Sequence, residues 1–296
     1  MTRRNAPGPA DDGRDRVPPG RDDSFRGLAS ELRLGLVAIL AASDAPLSYS
    51  TILDRSPVDD GGRLNYHLRQ LTGTFVRKSS AGYELTQQGR WAHNLLVADV
   101  LNDEVERDPV VIDSVCGRCA NPTVEISYRA GEGVVECPAC EHVLSAFDFP
   151  PGPADSLSTA AFVAAYANRT RAYVDLADDG VCPFCAHRMT STVDSWAERR
   201  PDAPSVRFDC AGCGATVYAP VGLVLSTRPR IASTLFDHGA ALDTTPFWEY
   251  EWAVFSAPTV SQQEPLRISL TITVADVEWR VVVNGDASIV DCQPSM

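Results

Sequence analysis

Four Cys-x-x-Cys pairs constrain this chain more than any other feature. They are Cys116/Cys119, Cys137/Cys140, Cys182/Cys185 and Cys210/Cys213, eight of the nine cysteines. Two thiolates separated by two residues share one tight backbone knuckle, and two knuckles brought together by a hairpin make a tetrahedral four-sulfur cage of the kind zinc takes. Seventeen residues separate the pairs of the first module and 24 those of the second. The first interval, "VEISYRAGEGVVEC", reads as a hairpin turning at "AGEG", and the second carries the looser loop "WAERRPDAPS". Short hairpins favour pairing within each module, so the expectation is two zinc ions held by four cysteines each. The same knuckles suit iron in a rubredoxin-like electron carrier. A closed four-cysteine site leaves no open coordination position, so the cages read as structural, with redox or zinc sensing as the alternative. His142 and His187 follow cysteine pairs closely and are expected outside the ligand sets. Cys292, left over, reads as an ordinary buried thiol.

The N-terminal stretch has an Arg pair but no apolar segment behind it, so it does not read as a secretory signal. The longest apolar run, Leu34 to Ala42, is far short of the ~20 residues that span a bilayer. Cysteine pairs in a chain with these features argue for metal-bound thiolates rather than disulfides, and for a soluble, cytoplasmic protein.

Charge is the second constraint. The formal net charge is −13, from 25 Arg, one Lys (Lys78), 26 Asp and 13 Glu. Scarce Lys with abundant Arg follows from a GC-rich genome. Scarce Lys together with excess Asp points further, to a salt-adapted cytosol, where carboxylates keep a surface hydrated and self-repelling. The charge is unevenly spread. Phe25 to Val97 holds eight basic and six acidic residues, net +2, whereas Ala98 onward holds 13 basic and 28 acidic, net −15.

Residues 1–24, rich in Pro, Gly and mixed charge, read as a disordered tail. Residues 25–106 read as helix, helix, turn, helix, hairpin, helix. "GLASELRLGLVAILAAS" sets Leu28, Leu32, Leu36, Ile39 and Leu40 on one face, and Pro46 follows. Ser48 caps a short second helix. "GRLNYHLRQLTG" is a third, with Leu64, Leu68 and Leu71 inward and Gly73 as its stop. "TFVRK" and "GYELT" form the hairpin, and a last helix presents Trp91, Leu95 and Leu96 before the charged "NDEVERDP".

That order is the outline of a winged helix-turn-helix. With the leucines inward, Arg63, Asn65, Tyr66, Arg69 and Gln70 lie on the outer face of the third helix. Arg binds guanine bidentately, Asn and Gln bind adenine, and Tyr reaches phosphate or a thymine methyl. Arg77 and Lys78 sit on the hairpin where a wing meets the DNA backbone, and His67 is either a packed histidine or a base reader. A winged helix that binds protein, its charges a solvated face, is the alternative. Here the chain resembles the ArsR-type winged-helix regulators. "LNYHLRQL" stands where that family carries V-S-x-H-L-x-x-L, so Asn65 falls at the Ser position and His67-Leu68 at the His-Leu pair. "GTFVRK…GYELTQQGR" is similar to the family's wing and the start of its last helix. With the cysteine modules and "PFWEYEW", the chain more narrowly resembles haloarchaeal ArsR-like regulators. The resemblance implies a homodimer formed through the first and last helices of the winged domain. Metal-sensing members carry cysteines in or near the second or third helix, and this segment has none, so metal sensing there does not carry over.

Beyond residue 106 the reading is zinc ribbon 1 at 112–150, a linking helix at 156–178 with Phe162, Tyr166, Tyr173 and Leu176 on one side, and zinc ribbon 2 at 179–221. A C-terminal α+β unit follows at 228–292: the helix "RPRIASTLFDHG", then the strands "PLRISLTITV", "EWRVVV" and "SIVDC". "FWEYEWAVF" reads as a strand with Trp248, Tyr250 and Trp252 on one face, a sheet core rather than a ligand pocket. The fold class is thus α+β multidomain, and nothing resembles an enzyme's catalytic set. The functional expectation is a dimeric, sequence-specific DNA-binding transcriptional regulator. Its alternatives are a zinc-ribbon scaffold that binds a protein of the transcription machinery, or a redox carrier.

Overall fold

The computed structural model describes residues 26–194, 205–255, 259–274 and 277–294. The expected tail at 1–24 and most of the loop "WAERRPDAPS" lie outside them. The described chain forms two compact units, one running to Asn102 and taking in Pro151–Pro153, the other made of Asp103–Pro150 and Ala154 onward. It is mixed α+β with antiparallel sheets. Among the described residues no helix is long and apolar enough to cross a membrane.

The first unit holds α1 (Glu31–Ala41), α2 (Tyr49–Arg55), α3 (Gly61–Leu71), β1 (Val76–Ser79), β2 (Gly82–Leu85) and α4 (Gln87–Ala98). Each helix after the first begins with a side-chain cap, which satisfies an amide that would otherwise have no partner. Ser48 accepts from the Thr51 amide, Asp60 from Gly62 and Thr86 from Gly89. Ser30 is extended, so α1 begins at Glu31 and the expected longer helix is interrupted there. Leu36, Val37, Leu40, Ile52, Leu64, Leu68, Leu71 and Leu85 close the core. Leu47 pairs antiparallel with Tyr83, adding a third strand position to the hairpin. Gly82 makes this possible: at φ +132, a Cβ there would stand 2.4 Å from the Leu47 carbonyl oxygen.

The last helix starts where the sequence reading put it, and the structure adds which face it buries. Trp91 and Leu95 point outward, 60% and 55% exposed, while Gly89 and Ala92 are buried and Leu96 packs on the core. The cause is close approach. A Cβ on Gly89 would lie 2.1 Å from the Phe75 carbonyl oxygen, so α4 docks by its smallest residues and turns its bulky ones away.

The second unit contains three antiparallel sheets: β3 (Arg107–Asp113), β4 (Thr123–Arg129), β5 (Glu132–Glu136) and β6 (Val143–Asp148); β7 (Met189–Asp194), β8 (Ser205–Cys210) and β9 (Thr216–Pro220); and β10 (Thr259–Gln262), β11 (Arg267–Val274), β12 (Val277–Asn284) and β13 (Ile289–Pro294). Its helices are α5 (Pro151–Ser156, which begins in the first unit), α6 (Thr159–Asp178), α7 (Val221–Thr227), α8 (Pro229–Asp237) and α9 (Glu251–Val254). The expected hairpin between the first cysteine pairs is β4–β5, turning through Ala130 and Gly131, both at positive φ.

Four sequence readings change. β3 begins at Arg107, because an edge strand with mostly exposed side chains carries no alternating pattern to detect. β10 is a second such edge strand, exposed throughout. α7, absent from the sequence reading, is a fully buried "VGLVLS" run, which periodicity alone leaves ambiguous. "FWEYEWAV" is a 3-10 turn (Phe247–Glu249) followed by α9, not a strand. Trp248 and Trp252 are four apart, a spacing that satisfies a helical face as well as an alternating one. Gly222 sets α7 against α9, since a Cβ there would overlap the Trp252 carbonyl oxygen at 1.7 Å.

The expected ribbons, linking helix and C-terminal unit also share one core. A single buried cluster runs from Cys116 and Tyr128 through Phe162, Phe208 and Trp248 to Val283. α6 is therefore part of that core, burying Phe162, Tyr166, Thr170, Val174 and Ala177, while Leu176 is outward. An Arg228–Asp178 pair, bidentate at 2.7 Å and mostly buried, ties the start of α8 to the end of α6.

Candidate metal centres and the outer face of helix α3

The eight paired cysteines form two groups, Cys116/Cys119/Cys137/Cys140 and Cys182/Cys185/Cys210/Cys213, each with its sulfurs within 4.8 Å of one another. Across the knuckles, Cys119–Cys137 and Cys116–Cys140 sulfurs are 3.6 and 3.9 Å apart, and Cys185–Cys210 and Cys182–Cys213 sulfurs 3.5 and 3.7 Å. A tetrahedron with ~2.3 Å metal–sulfur bonds has edges of about 3.8 Å. The donor sets therefore fit a tetrahedral metal that favours thiolate, and the spacing is far beyond the ~2.05 Å of a disulfide.

The four knuckles share one backbone design. The first cysteine of each pair donates its amide to the carbonyl five residues on, at Asn121, His142, His187 and Ala215. Its own carbonyl accepts the amide four residues on, at Ala120, Glu141, Ala186 and Gly214, and all four of these residues lie in the left-handed region. Gly212 and Cys213 point amides at the Cys210 sulfur, 3.3 and 3.5 Å away. These amides, Cys213 first, hold the Cys210 thiol down at about 6. Burial works to raise Cys137, but amides from Cys140 and Ala139 outweigh it and leave it at about 7. Cys140 is pushed up to about 12, chiefly by burial. A bound cation requires all four cysteines of a set as thiolates, so loading is proton-linked.

His142 and His187 stand outside both groups, as expected. Each turns Nδ1 to the carbonyl of the preceding cysteine, His142 to Cys140 at 2.6 Å and His187 to Cys185 at 3.3 Å. Cys292 is half-buried on β13, and burial raises its thiol.

On α3 the leucines lie inward and Arg63, Asn65, Tyr66, Arg69 and Gln70 are exposed, with no carboxylate among its eleven residues. His67 is half-buried, its Nδ1 shielded and without a partner among the described residues. Burial, then the charges of Arg33 and Arg63, lower its pKa, so the ring is neutral near pH 7. Arg77 forms an exposed cross-strand ion pair with Glu84 (3.0 Å), and Lys78 lies 5.2 Å above the Tyr83 ring. Asn65 and Lys78 line one groove, with Tyr49, Gly61 and the hairpin turn Ser79–Gly82. The structure thus puts Asn65 of α3 in one groove with the hairpin's Lys78, while Arg77 is engaged with Glu84.

A second concavity, within the other unit, is lined by the aromatic segment that the sequence read as a sheet core rather than a ligand pocket. Trp248 Nε1 donates to Ser114 Oγ (2.9 Å), which donates to Glu249 (2.5 Å), and the Gly117 amide bonds the Trp248 carbonyl. This fastens the first knuckle to the aromatic segment and leaves a cleft between that segment and β11. Its hydroxyl floor had no signal of its own, because Ser269, Thr271 and Thr273 read simply as the outward half of an alternating strand.

The profile of one family described as a domain of unknown function, DUF7351, matches residues 113–289, and that of another, DUF7347, matches residues 21–96. No curated protein and no solved structure matches the chain.

Proposed function

Because the chain belongs to the DUF7351 family, which spans more than half of it and carries no assigned activity, its function is read from its own residues, and we propose a sequence-specific DNA-binding transcriptional regulator. In this reading residues 26–102 are a winged helix-turn-helix of ArsR type and the cysteine groups are zinc ribbons. The observation that carries it is the outer face of α3: Arg63, Asn65, Tyr66, Arg69 and Gln70 exposed together, with no acidic residue on the helix. Asn65, Tyr66, Arg69 and Gln70 read base edges, and Arg63 and Lys78 hold phosphates. Arg77 joins them by exchanging Glu84 for phosphate, since an exposed pair of that kind contributes about 0–1 kcal/mol. His67, shielded and neutral, packs the helix rather than reading a base. The −15 carried beyond Val97 repels DNA from the rest of the chain and directs it to this surface. Zinc in closed four-thiolate sites is structural, fixing knuckles that the hydrophobic core does not hold alone.

The test is binding of the full chain to DNA selected from a random pool, at the salt the protein tolerates. Arg69→Ala relaxes specificity at one base position and costs about 1–3 kcal/mol. Lys78→Ala weakens all sequences alike and lowers the salt slope by about one. If neither variant binds differently from the parent, the assignment fails.

A further inference from the structure

We infer that the cleft beside the first cysteine group is a small-molecule site for a basic α-amino acid. At about 600 Å³ it has the capacity of a ligand pocket. Its floor is the outward face of β11, where Ser269, Thr271 and Thr273 present hydroxyls, together with Arg280 of β12, which lies opposite Thr271. Arg280 donates Nε to Ser269 Oγ (2.9 Å), which fixes the guanidinium plane, and pairs with no carboxylate among the described residues. An oriented guanidinium flanked by hydroxyls matches a carboxylate.

The remaining wall has the opposite character. Tyr250 stacks on Trp252, ring centroids 5.2 Å apart, between Glu249 and Glu251. Two carboxylates around an aromatic pair attract organic cations, by charge and by the ring faces. Cys116 lines the same wall, and a loaded thiolate cage adds negative charge. One guanidinium facing two carboxylates calls for one carboxylate and a surplus of cationic groups, which a basic amino acid supplies.

Calorimetric titration of the metal-loaded full chain with L-arginine, L-leucine, L-glutamate and glucose tests the assignment. Binding should follow the order arginine, leucine, glutamate, with no heat from glucose. Arg280→Gln and Glu251→Gln, both at exposed positions, should each weaken L-arginine at least tenfold, with circular dichroism and metal content unchanged. No heat from L-arginine at millimolar concentration, or a preference for glucose or glutamate, overturns the inference. So does loss in only one of the two variants, since the ligand would then lack one of its two charges. None of these readouts involves DNA, so the inference stands or falls apart from the reading of α3.

Discussion

Exchanging glycine and alanine in the metal knuckles should move metal affinity in opposite directions. Ala120, Glu141 and Ala186 hold φ of 58°, 58° and 60°, and Gly214 holds 74° at the equivalent place. A side chain in this region brings Cβ against the following carbonyl, at a cost of roughly 1–2 kcal/mol. Glycine avoids that cost but loses roughly 0.5–1 kcal/mol more backbone freedom on ordering. Ala186→Gly should therefore stabilise the second knuckle by about 0.5–1 kcal/mol net. Gly214→Ala should destabilise its partner by as much, with nothing else in the way, because a Cβ there meets no atom within 4 Å. If metal binding and knuckle folding are one equilibrium, these energies appear as a two- to fivefold change in affinity. The assay is graded chelator challenge, with alkylation of Cys182 and Cys185 mapped by mass spectrometry. Ala186→Gly should raise the chelator concentration at half-protection, Gly214→Ala should lower it, and the double variant should return near the parent. Shifts of the same sign in both single variants would refute the strain argument.

Two further outcomes follow from the packing. His67 has a lowered pKa in the folded first unit, so the unfolded chain binds the proton more readily; its contribution is fully present above pH 6.5 and is lost as pH falls through the lower folded value. Protection factors of the Leu68 and Leu71 amides should fall as pH drops from 7.5 to 5.5, and His67→Gln should abolish that fall; an unchanged fall in the variant refutes it. Gly222→Ala forces a Cβ to within 1.7 Å of the Trp252 carbonyl oxygen, so it should cost several kcal/mol, as an overpacked core does, and melt the second unit while α3 amides keep their protection. An unchanged melting temperature would mean that α7 and α9 do not pack as described.

Local signals read correctly where one segment supplied both the pattern and its reason. Two residues between thiols allow little but a knuckle, and Leu64, Leu68 and Leu71 at helical spacing bury one face of α3 and so expose Arg63 to Gln70. Ser48 and Gly73 marked helix ends because capping and positive φ are properties of single residues. What required the tertiary structure was every contact made by a distant partner. The apolar residues Trp91, Leu95 and Leu96 did not say which face of α4 docks, and the Phe75 carbonyl opposite Gly89 decides it. Alternation made "FWEYEWAV" a strand, and only α7, pressed against it through Gly222, makes it a turn and a helix. The cleft is the extreme case. Arg280, Glu251 and Trp252 are ordinary residues in sequence, and they share a concavity because a Ser114–Trp248–Glu249 link holds the first knuckle against residues more than a hundred positions away.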